Sequence, residues 1–201
     1  HEDTVQESIF SADGRHVLTR SNFSVRLWDV ETGNEVSAFE AHTGAVKSMA
    51  LRHDGRRLLT VSTDRSARLW DVQTGLAIAS IRDPDDRDPR SAEFSPDGRQ
   101  LPVSFSNATS QIWDADSGEK LMDLPGGGVA RFSPDGARVA TASPLQVWDA
   151  ASGQPLGSFV LPVDQGAASD LLYSADGQRI LMSFWTAEAK AFAILFDAQT
   201  G

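Results

Sequence analysis

His42, Ser62 and Asp64 supply the three side-chain types from which hydrolases assemble a hydroxyl nucleophile, the imidazole that deprotonates it and the carboxylate that orients the imidazole. Thr60 offers a second hydroxyl two residues earlier, and the sequence leaves open which of the two would serve. A further concentration of chemistry lies at residues 82–90, Arg-Asp-Pro-Asp-Asp-Arg-Asp-Pro-Arg, whose four carboxylates invite a calcium reading. The spacing fails the calcium-loop pattern, because Asp88 stands where the sharp turn needs glycine and Phe94 where a bidentate glutamate is needed. Three arginines offset three of those carboxylates, so the segment reads as a solvated loop stiffened by its prolines. Gly126-Gly127-Gly128 lacks the Lys-Ser or Lys-Thr that completes a phosphate loop and reads as a flexible connector. The chain has no cysteine, which excludes thiol nucleophiles, thiolate metal sites and disulfides together. No cofactor or metal is expected.

Side chains of this kind act only when a fold positions them, and composition narrows the choice of fold. With 201 residues, 40% hydrophobic content and a mean hydropathy of −0.27, the chain can bury an ordinary core. No apolar run approaches the roughly 18 residues that a membrane span requires. Eighteen Lys and Arg against 28 Asp and Glu leave a net charge of −10 and a pI near 4.7, which makes nucleic acid and anionic membrane poor partners. The chain opens at His1 without an initiator Met or a signal-like segment, so it is expected to be an excerpt of a longer protein, with a cytoplasmic location.

Self-similarity is the strongest signal. Asp-Gly recurs five times, ending at Gly14, Gly55, Gly98, Gly136 and Gly177, and four residues before each glycine stands a large apolar residue: Phe10, Leu51, Phe94, Phe132 and Tyr173. A second landmark runs in phase with it, an aromatic-Asp pair followed four residues later by glycine: Trp28-Asp29, Trp70-Asp71, Trp113-Asp114, Trp148-Asp149 and Phe196-Asp197. Between the landmarks lie short apolar and β-branched runs bounded by turn formers, with no helical stripe. One unit therefore predicts four antiparallel strands, in the clearest case near 45–51, 57–62, 66–72 and 76–81. A four-stranded sheet with apolar residues on both faces cannot bury them alone, so each unit must stack on its neighbours.

The pattern His42, Asp54-Gly55, Ser62-Thr63-Asp64, Arg68-Leu69-Trp70-Asp71, Thr74-Gly75 resembles the signature of WD-repeat β-propellers, and the resemblance extends over the whole chain. It implies an all-β propeller of five units, approximately 1–40, 41–82, 83–124, 125–163 and 164–201, forming a single segment of an incomplete ring. The last unit is expected to lack its outer strand, and the ring to be completed by further blades or by another chain. In that family the His, the Ser or Thr, the Asp and the Trp form a buried structural relay, here His42, Ser62, Asp64 and Trp70, in which a hydroxyl satisfies the indole N–H. His1 and Asn107 are the degenerate counterparts of His42 and Asp64. The second unit is accordingly expected to be the most rigid and the fifth the least. The repeats also look similar to bacterial WD-repeat arrays.

The resemblance implies a non-catalytic scaffold that binds a protein or peptide through loops gathered on one face. Asn22, Phe23, Thr43, Arg65, Asp86, Arg87, Phe105 and Trp185 are the candidate contacts, because they project from that face and the repeat does not need them. Two alternatives compete, a propeller hydrolase and a propeller with a ligand site in its channel. Seven residues before each hairpin glycine stand Glu7, Ser48, Ser91, Val129 and Asp170, where only two acids occur, although Glu93 and Arg131 lie close by.

Overall fold

The computed structural model describes residues 3–40, 42–106, 109–159, 167–185 and 191–198; His1 and Asn107 lie outside the described residues. Every described element is a strand. The first sheet runs β1 (Glu7–Phe10), β2 (His16–Arg20), β3 (Val25–Asp29) and β4 (Glu35–Phe39). The second runs β5 (Val46–Leu51), β6 (Arg57–Ser62), β7 (Ala67–Asp71) and β8 (Ala77–Ile81). The third is β9 (Pro89–Ala92), β10 (Gln100–Phe105), β11 (Thr109–Asp114) and β12 (Lys120–Pro125). The fourth is β13 (Gly127–Phe132), β14 (Arg138–Ser143), β15 (Leu145–Asp149) and β16 (Pro155–Ser158). The fifth has three strands, β17 (Ala167–Tyr173), β18 (Arg179–Trp185) and β19 (Ala191–Asp197). All pairings are antiparallel between strands consecutive in the chain, so each sheet is a meander of hairpins, one blade.

Turn chemistry explains why the chain reverses where it does. In the first hairpin the Asp13 carboxylate accepts the Ser11 hydroxyl at 2.6 Å and the Arg15 amide at 3.0 Å, while Gly14 takes a φ of +69°. Ser95 with Asp97, Ser133 with Asp135 and Ser174 with Asp176 repeat the arrangement. At the other reversal Asp71 Oδ1 accepts the Thr74 amide at 2.8 Å and the Thr74 hydroxyl at 3.0 Å, bonds that hold its carboxyl below the usual range. The glycine that closes this turn has a second duty. A Cβ on Gly118 would stand 2.7 Å from Ala79 Cβ, and one on Gly153 3.0 Å from Met122 Sδ, so these turns press directly on the outer strand of the preceding blade. Both a φ near +70° and the missing Cβ are required there.

Packing follows from two rows of side chains on opposite faces of each blade. Strand registry aligns Leu51, Leu58 and Trp70 on one face of the second blade, and Ala50, Leu59 and Leu69 on the other. The aromatic-ended row faces back. Leu58 and Trp70 pack on Leu18 and Leu27 of the first blade, with Phe39 edge-on to Trp70 at 5.6 Å between ring centres. The other row faces forward, with Leu59 and Leu69 packing on Leu101 of the third blade and Trp113 against the same cluster. Ile112 then meets Phe132, Val139 and Trp148, and Ala140 and Val147 meet Ile180 and Phe196. Among the described residues none of these four clusters joins the first blade to the fifth.

Two expectations need correction. Gly126-Gly127-Gly128 is no flexible connector: Gly127 opens β13, and the Gly126 carbonyl accepts the Ser110 hydroxyl at 2.9 Å. Gly126 has a φ of +100°, and a Cβ there would meet Thr141 Oγ1 at 2.8 Å, so glycine is used for close approach rather than freedom. Residues 82–90 are also less solvated than expected. Asp83 is buried and accepts the Asp85 amide at 2.9 Å, and Pro89 already belongs to β9.

Candidate functional site

Blade 2 brings the triad-type side chains together. Trp70 Nε1 donates to Thr60 Oγ1 at 2.9 Å, Thr60 Oγ1 lies 2.7 Å from His42 Nε2, and His42 Nδ1 lies 2.9 Å from Asp64 Oδ2. An indole can only donate and a carboxylate can only accept, so with the buried imidazole neutral the direction of the chain follows. Thr60 gives its proton to His42 Nε2, and His42 Nδ1–H gives to Asp64. The carboxylate is saturated by the Thr43 amide at 3.1 Å, the Ser66 amide at 3.0 Å and the Ser66 hydroxyl at 2.6 Å. Burial pushes the His42 imidazole below its ordinary value, the Asp64 charge opposing. Burial alone would raise Asp64, but the bonds from Ser66, His42 and Thr43 outweigh it and hold the carboxyl well below the usual range.

The hydroxyl is therefore Thr60, which corrects the assignment of Ser62. Both side chains lie on one face of β6, but Trp70 is paired with Leu58, so Thr60 is its diagonal neighbour and Ser62 lies a further two residues away. Ser62 instead accepts the Asp64 amide at 3.1 Å and shapes the turn.

The constellation has the connectivity of a hydrolytic triad, yet it is sealed. The His42 and Asp64 side chains are 1% and 4% exposed and Thr60 is buried, so no substrate carbonyl can reach the hydroxyl. The indole N–H also occupies the oxygen that would attack. What the arrangement can do chemically is satisfy Trp70 and stiffen the blade.

The other blades show the element that the sequence reading missed. Five residues after each hairpin glycine stand Thr19, Thr60, Val103, Thr141 and Met182. Trp28 donates to Thr19 at 2.7 Å and Trp148 to Thr141 at 3.1 Å. Trp113, opposite a sheet where the third member is Val103, has a buried indole nitrogen without an acceptor. In blade 5 Phe196 and Met182 lack donor and acceptor alike, and both are buried.

Asn22, Phe23, Thr43, Arg65, Asp86 and Arg87 lie in the b-to-c turns and d-to-a loops, b and c being the second and third strands of a blade and d-to-a the link to the next, while Trp185 ends β18. The Asn22 carbonyl accepts the Val46 amide at 2.6 Å, and the Asp64 carbonyl accepts Arg82 Nη1 at 3.0 Å. Arg65 pairs with Asp86, and both residues hold left-handed backbones, with φ of 64° and 59°. Arg87 reaches Asp85 at 2.5 Å and Asp83 at 3.4 Å. Thr43 is exposed, Phe23 is 56% exposed and Trp185 is 55% exposed. Phe105 is the exception and corrects that candidate. It ends β10 at the position equivalent to Ser62, fully buried among Leu59, Leu101 and Val103, so it belongs to the core between blades 2 and 3.

Toward the inner strands, Arg131 Nη1 donates to Ser91 at 2.9 Å and lies 3.5 Å from Glu93, while Nη2 lies 3.3 Å from Asp170. Burial pushes the Glu93 carboxyl up against the opposing pull of Arg131. Glu7 is held by Arg20 at 2.9 Å. Among the described residues no group of three or more His, Asp or Glu is gathered to hold a metal ion.

Residues 33–71 match the family model "WD domain, G-beta repeat". The chain is 27% identical to apoptotic protease-activating factor 1 of Homo sapiens over 79% of its length and 14% of that protein. It is 27% identical to the serine-threonine kinase receptor-associated protein of Gallus gallus, over 83% of this chain and 49% of that one. Likeness to the periodic tryptophan protein 2 homolog of Schizosaccharomyces pombe is 26% over 91% of this chain and 19% of that protein. The chain thus spans half or less of the length of these relatives. The solved β-propeller domain of Cps50 (Swd1) from Myceliophteria thermophila superposes with a TM-score of 0.73 and 16% identity, covering 100% of this chain and 70% of that one. These likenesses support the WD-repeat family and the propeller fold. The named relatives are eukaryotic, so the bacterial analogy gains no support from them.

Proposed function

We propose that this run of WD-type propeller blades is a non-catalytic interaction platform that presents its b-to-c turns and d-to-a loops to a protein or peptide. The observation that carries the reading is the sealed relay: the constellation with triad-like connectivity, His42, Thr60 and Asp64, is committed to holding Trp70. The rigidity it confers is passed to the loops that flank it. Thr43 and Arg65 are within one residue of relay members, and Arg65 is tied to Asp86 of the next loop. Phe23 adds an exposed aromatic on a turn, the kind of anchor that concentrates binding energy. A relative whose name describes a receptor-associated protein is in keeping with such a role. The hydrolase alternative is less favoured, because its inner-strand acids are tied to arginines, Glu7 to Arg20 and Asp170, with the nearby Glu93, to Arg131.

Quantitative co-purification from the source cells, comparing the wild-type chain with Phe23→Ala/Arg65→Ala and with a control changed at the opposite turns, Glu31→Ala, tests this. The platform reading expects partners lost only from the loop-face variant, with melting temperature unchanged. Partners retained by the loop-face variant, or turnover of an ester or glycoside that disappears in Asp170→Asn, would overturn it.

A further inference from the structure

Arg131 of β13 reaches Ser91 of β9 and Asp170 of β17, so the first strands of successive blades stand side by side along the inner edge of the array. These strands start at the loop face. The Ala45 carbonyl accepts the Thr63 amide at 2.8 Å and the Asp88 carbonyl accepts the Ser106 amide at 3.0 Å, tying the approach to β5 and to β9 to a b-to-c turn. Just inside that point the ladder slips. Val46 pairs with Ser62 and Ser48 with Val61, and likewise Pro89 pairs with Phe105 and Ser91 with Ser104, which leaves Lys47 and Arg90 as the extra residues of two β-bulges. A bulge re-aims the side chain it leaves unpaired. Val46 and Pro89 are buried while Lys47 and Arg90 are exposed, and both cations belong to blades packed between two others.

Their charge is uncommitted. On the surrounding loops Arg65 pairs with Asp86, Arg87 with Asp85 and Asp83, and Arg82 donates to the Asp64 carbonyl, whereas neither Lys47 nor Arg90 has a hydrogen-bond or ion-pair partner among the described residues. Asp88, two residues before Arg90, makes no ion pair with it. Blade 4 slips at the same point, between Gly127 and Ala130, but Gly128 there has a φ of +84° and brings no side chain. The free cations are thus confined to the equivalent positions of adjacent blades 2 and 3. In a chain of net charge −10, such a pair marks where an anionic group is drawn in and sets its register.

We propose that Lys47 and Arg90 form an anion-binding rim that takes the carboxylates of an acidic segment in a protein partner. The inference rests on the platform reading and names the chemistry that its loop face receives. The Arg90 fork suits a bidentate carboxylate, and Lys47 meets a second one as a point charge. A polynucleotide fits less well, because the rest of a −10 surface repels a long polyanion while a short acidic segment touches only the rim.

Fluorescence anisotropy of a labelled hexaglutamate peptide, titrated with the 201-residue chain at low ionic strength, tests the proposal. Lys47→Gln/Arg90→Gln is compared with Arg56→Gln/Arg99→Gln, which removes the same two charges from exposed residues at the opposite hairpins of the same blades. The rim pair is expected to weaken binding about tenfold or more and the hairpin pair by less than about twofold, both with wild-type circular dichroism. No binding by the wild-type chain, equal weakening by the two pairs, or tighter binding of a thymidine hexanucleotide than of hexaglutamate overturns the proposal. The outcome is separable from that of the platform reading. If Phe23→Ala/Arg65→Ala loses partners while hexaglutamate ignores Lys47 and Arg90, the acidic-segment inference alone falls; if hexaglutamate binds through them while that variant keeps its partners, the platform assignments at Phe23 and Arg65 fall instead.

Discussion

The indole nitrogen of Trp113 stands in the same diagonal relation to Val103 as that of Trp70 to Thr60, and it is the one of the two without an acceptor. An unsatisfied buried N–H costs about 1–3 kcal/mol. Trp113→Phe is therefore expected to destabilise less than Trp70→Phe by about 1 kcal/mol or more, because it removes an orphan rather than a bonded donor. Val103→Thr should recover part of the same energy. Urea unfolding midpoints of the three variants decide this, and equal costs for the two Trp→Phe changes would contradict it.

The identity of the relay hydroxyl has its own consequence. Thr60→Val deprives both Trp70 Nε1 and His42 Nε2 of a partner, for an expected loss of about 2–4 kcal/mol, while Ser62→Ala affects one turn amide and costs about 1 kcal/mol. Chemical denaturation measures both, and a larger cost for Ser62→Ala would return the relay to that residue.

Relay ionisation is expected to make blade 2 acid-sensitive. His42 folds in its neutral form with a depressed pKa, so its contribution to stability is complete above its ordinary 6.5 and is lost as pH falls below that value. Asp64, also depressed, adds a loss of the same sign as pH falls through the carboxylate range. Stability is expected to decline from pH 7.5 to pH 5.5, on the order of 1 kcal/mol, and His42→Asn should flatten that slope while lowering stability at pH 7.5. Unfolding midpoints at a series of pH values, unchanged in slope by the substitution, would count against the relay.

Glycines at the two reversals differ in what they must avoid. Gly14 has a φ of +69° and open space around it, so Gly14→Ala carries only the left-handed penalty, about 1–2 kcal/mol. Gly118→Ala adds a clash with Ala79 at 2.7 Å and should cost at least about 2 kcal/mol more, since blades 2 and 3 must part to admit it. Equal thermal shifts in the two variants would show that the turn does not press on the preceding blade.

How far the sequence reveals this molecule depends on the range of the interaction. The Asp-Gly hairpins and Trp-Asp turns are legible because their chemistry is local: a carboxylate caps amides two or three residues away and a glycine takes positive φ. Strand alternation also gives the two faces of each blade. It cannot separate Thr60 from Ser62, which share parity and a face, until pairing registry places Leu58 opposite Trp70. Phe105 reads as a binding-face residue because the repeat does not need it, but β10 continues through it into the core. The glycine run at 126–128 has a flexible composition, and only the approach of Ser110 and Thr141 shows why side chains are absent. Val103 breaks the in-phase threonine series beneath a tryptophan, a signal that acquires meaning only once the indole bonds to Thr19, Thr60 and Thr141 are known.

The account rests on neighbouring blades packing forward row against back row, and Phe39 with Trp70 is the contact that exposes this most directly, two rings from different blades 5.6 Å apart at 70°. A double-mutant cycle with Phe39→Leu and Trp70→Phe, read by urea denaturation, measures it. The predicted coupling is about 0.5–1.5 kcal/mol, against additivity within about 0.5 kcal/mol for Phe39→Leu combined with the distant Trp148→Phe. Additive costs for Phe39 and Trp70 would contradict the stacking of blades 1 and 2, and with it the placement of every loop residue assigned to the binding face.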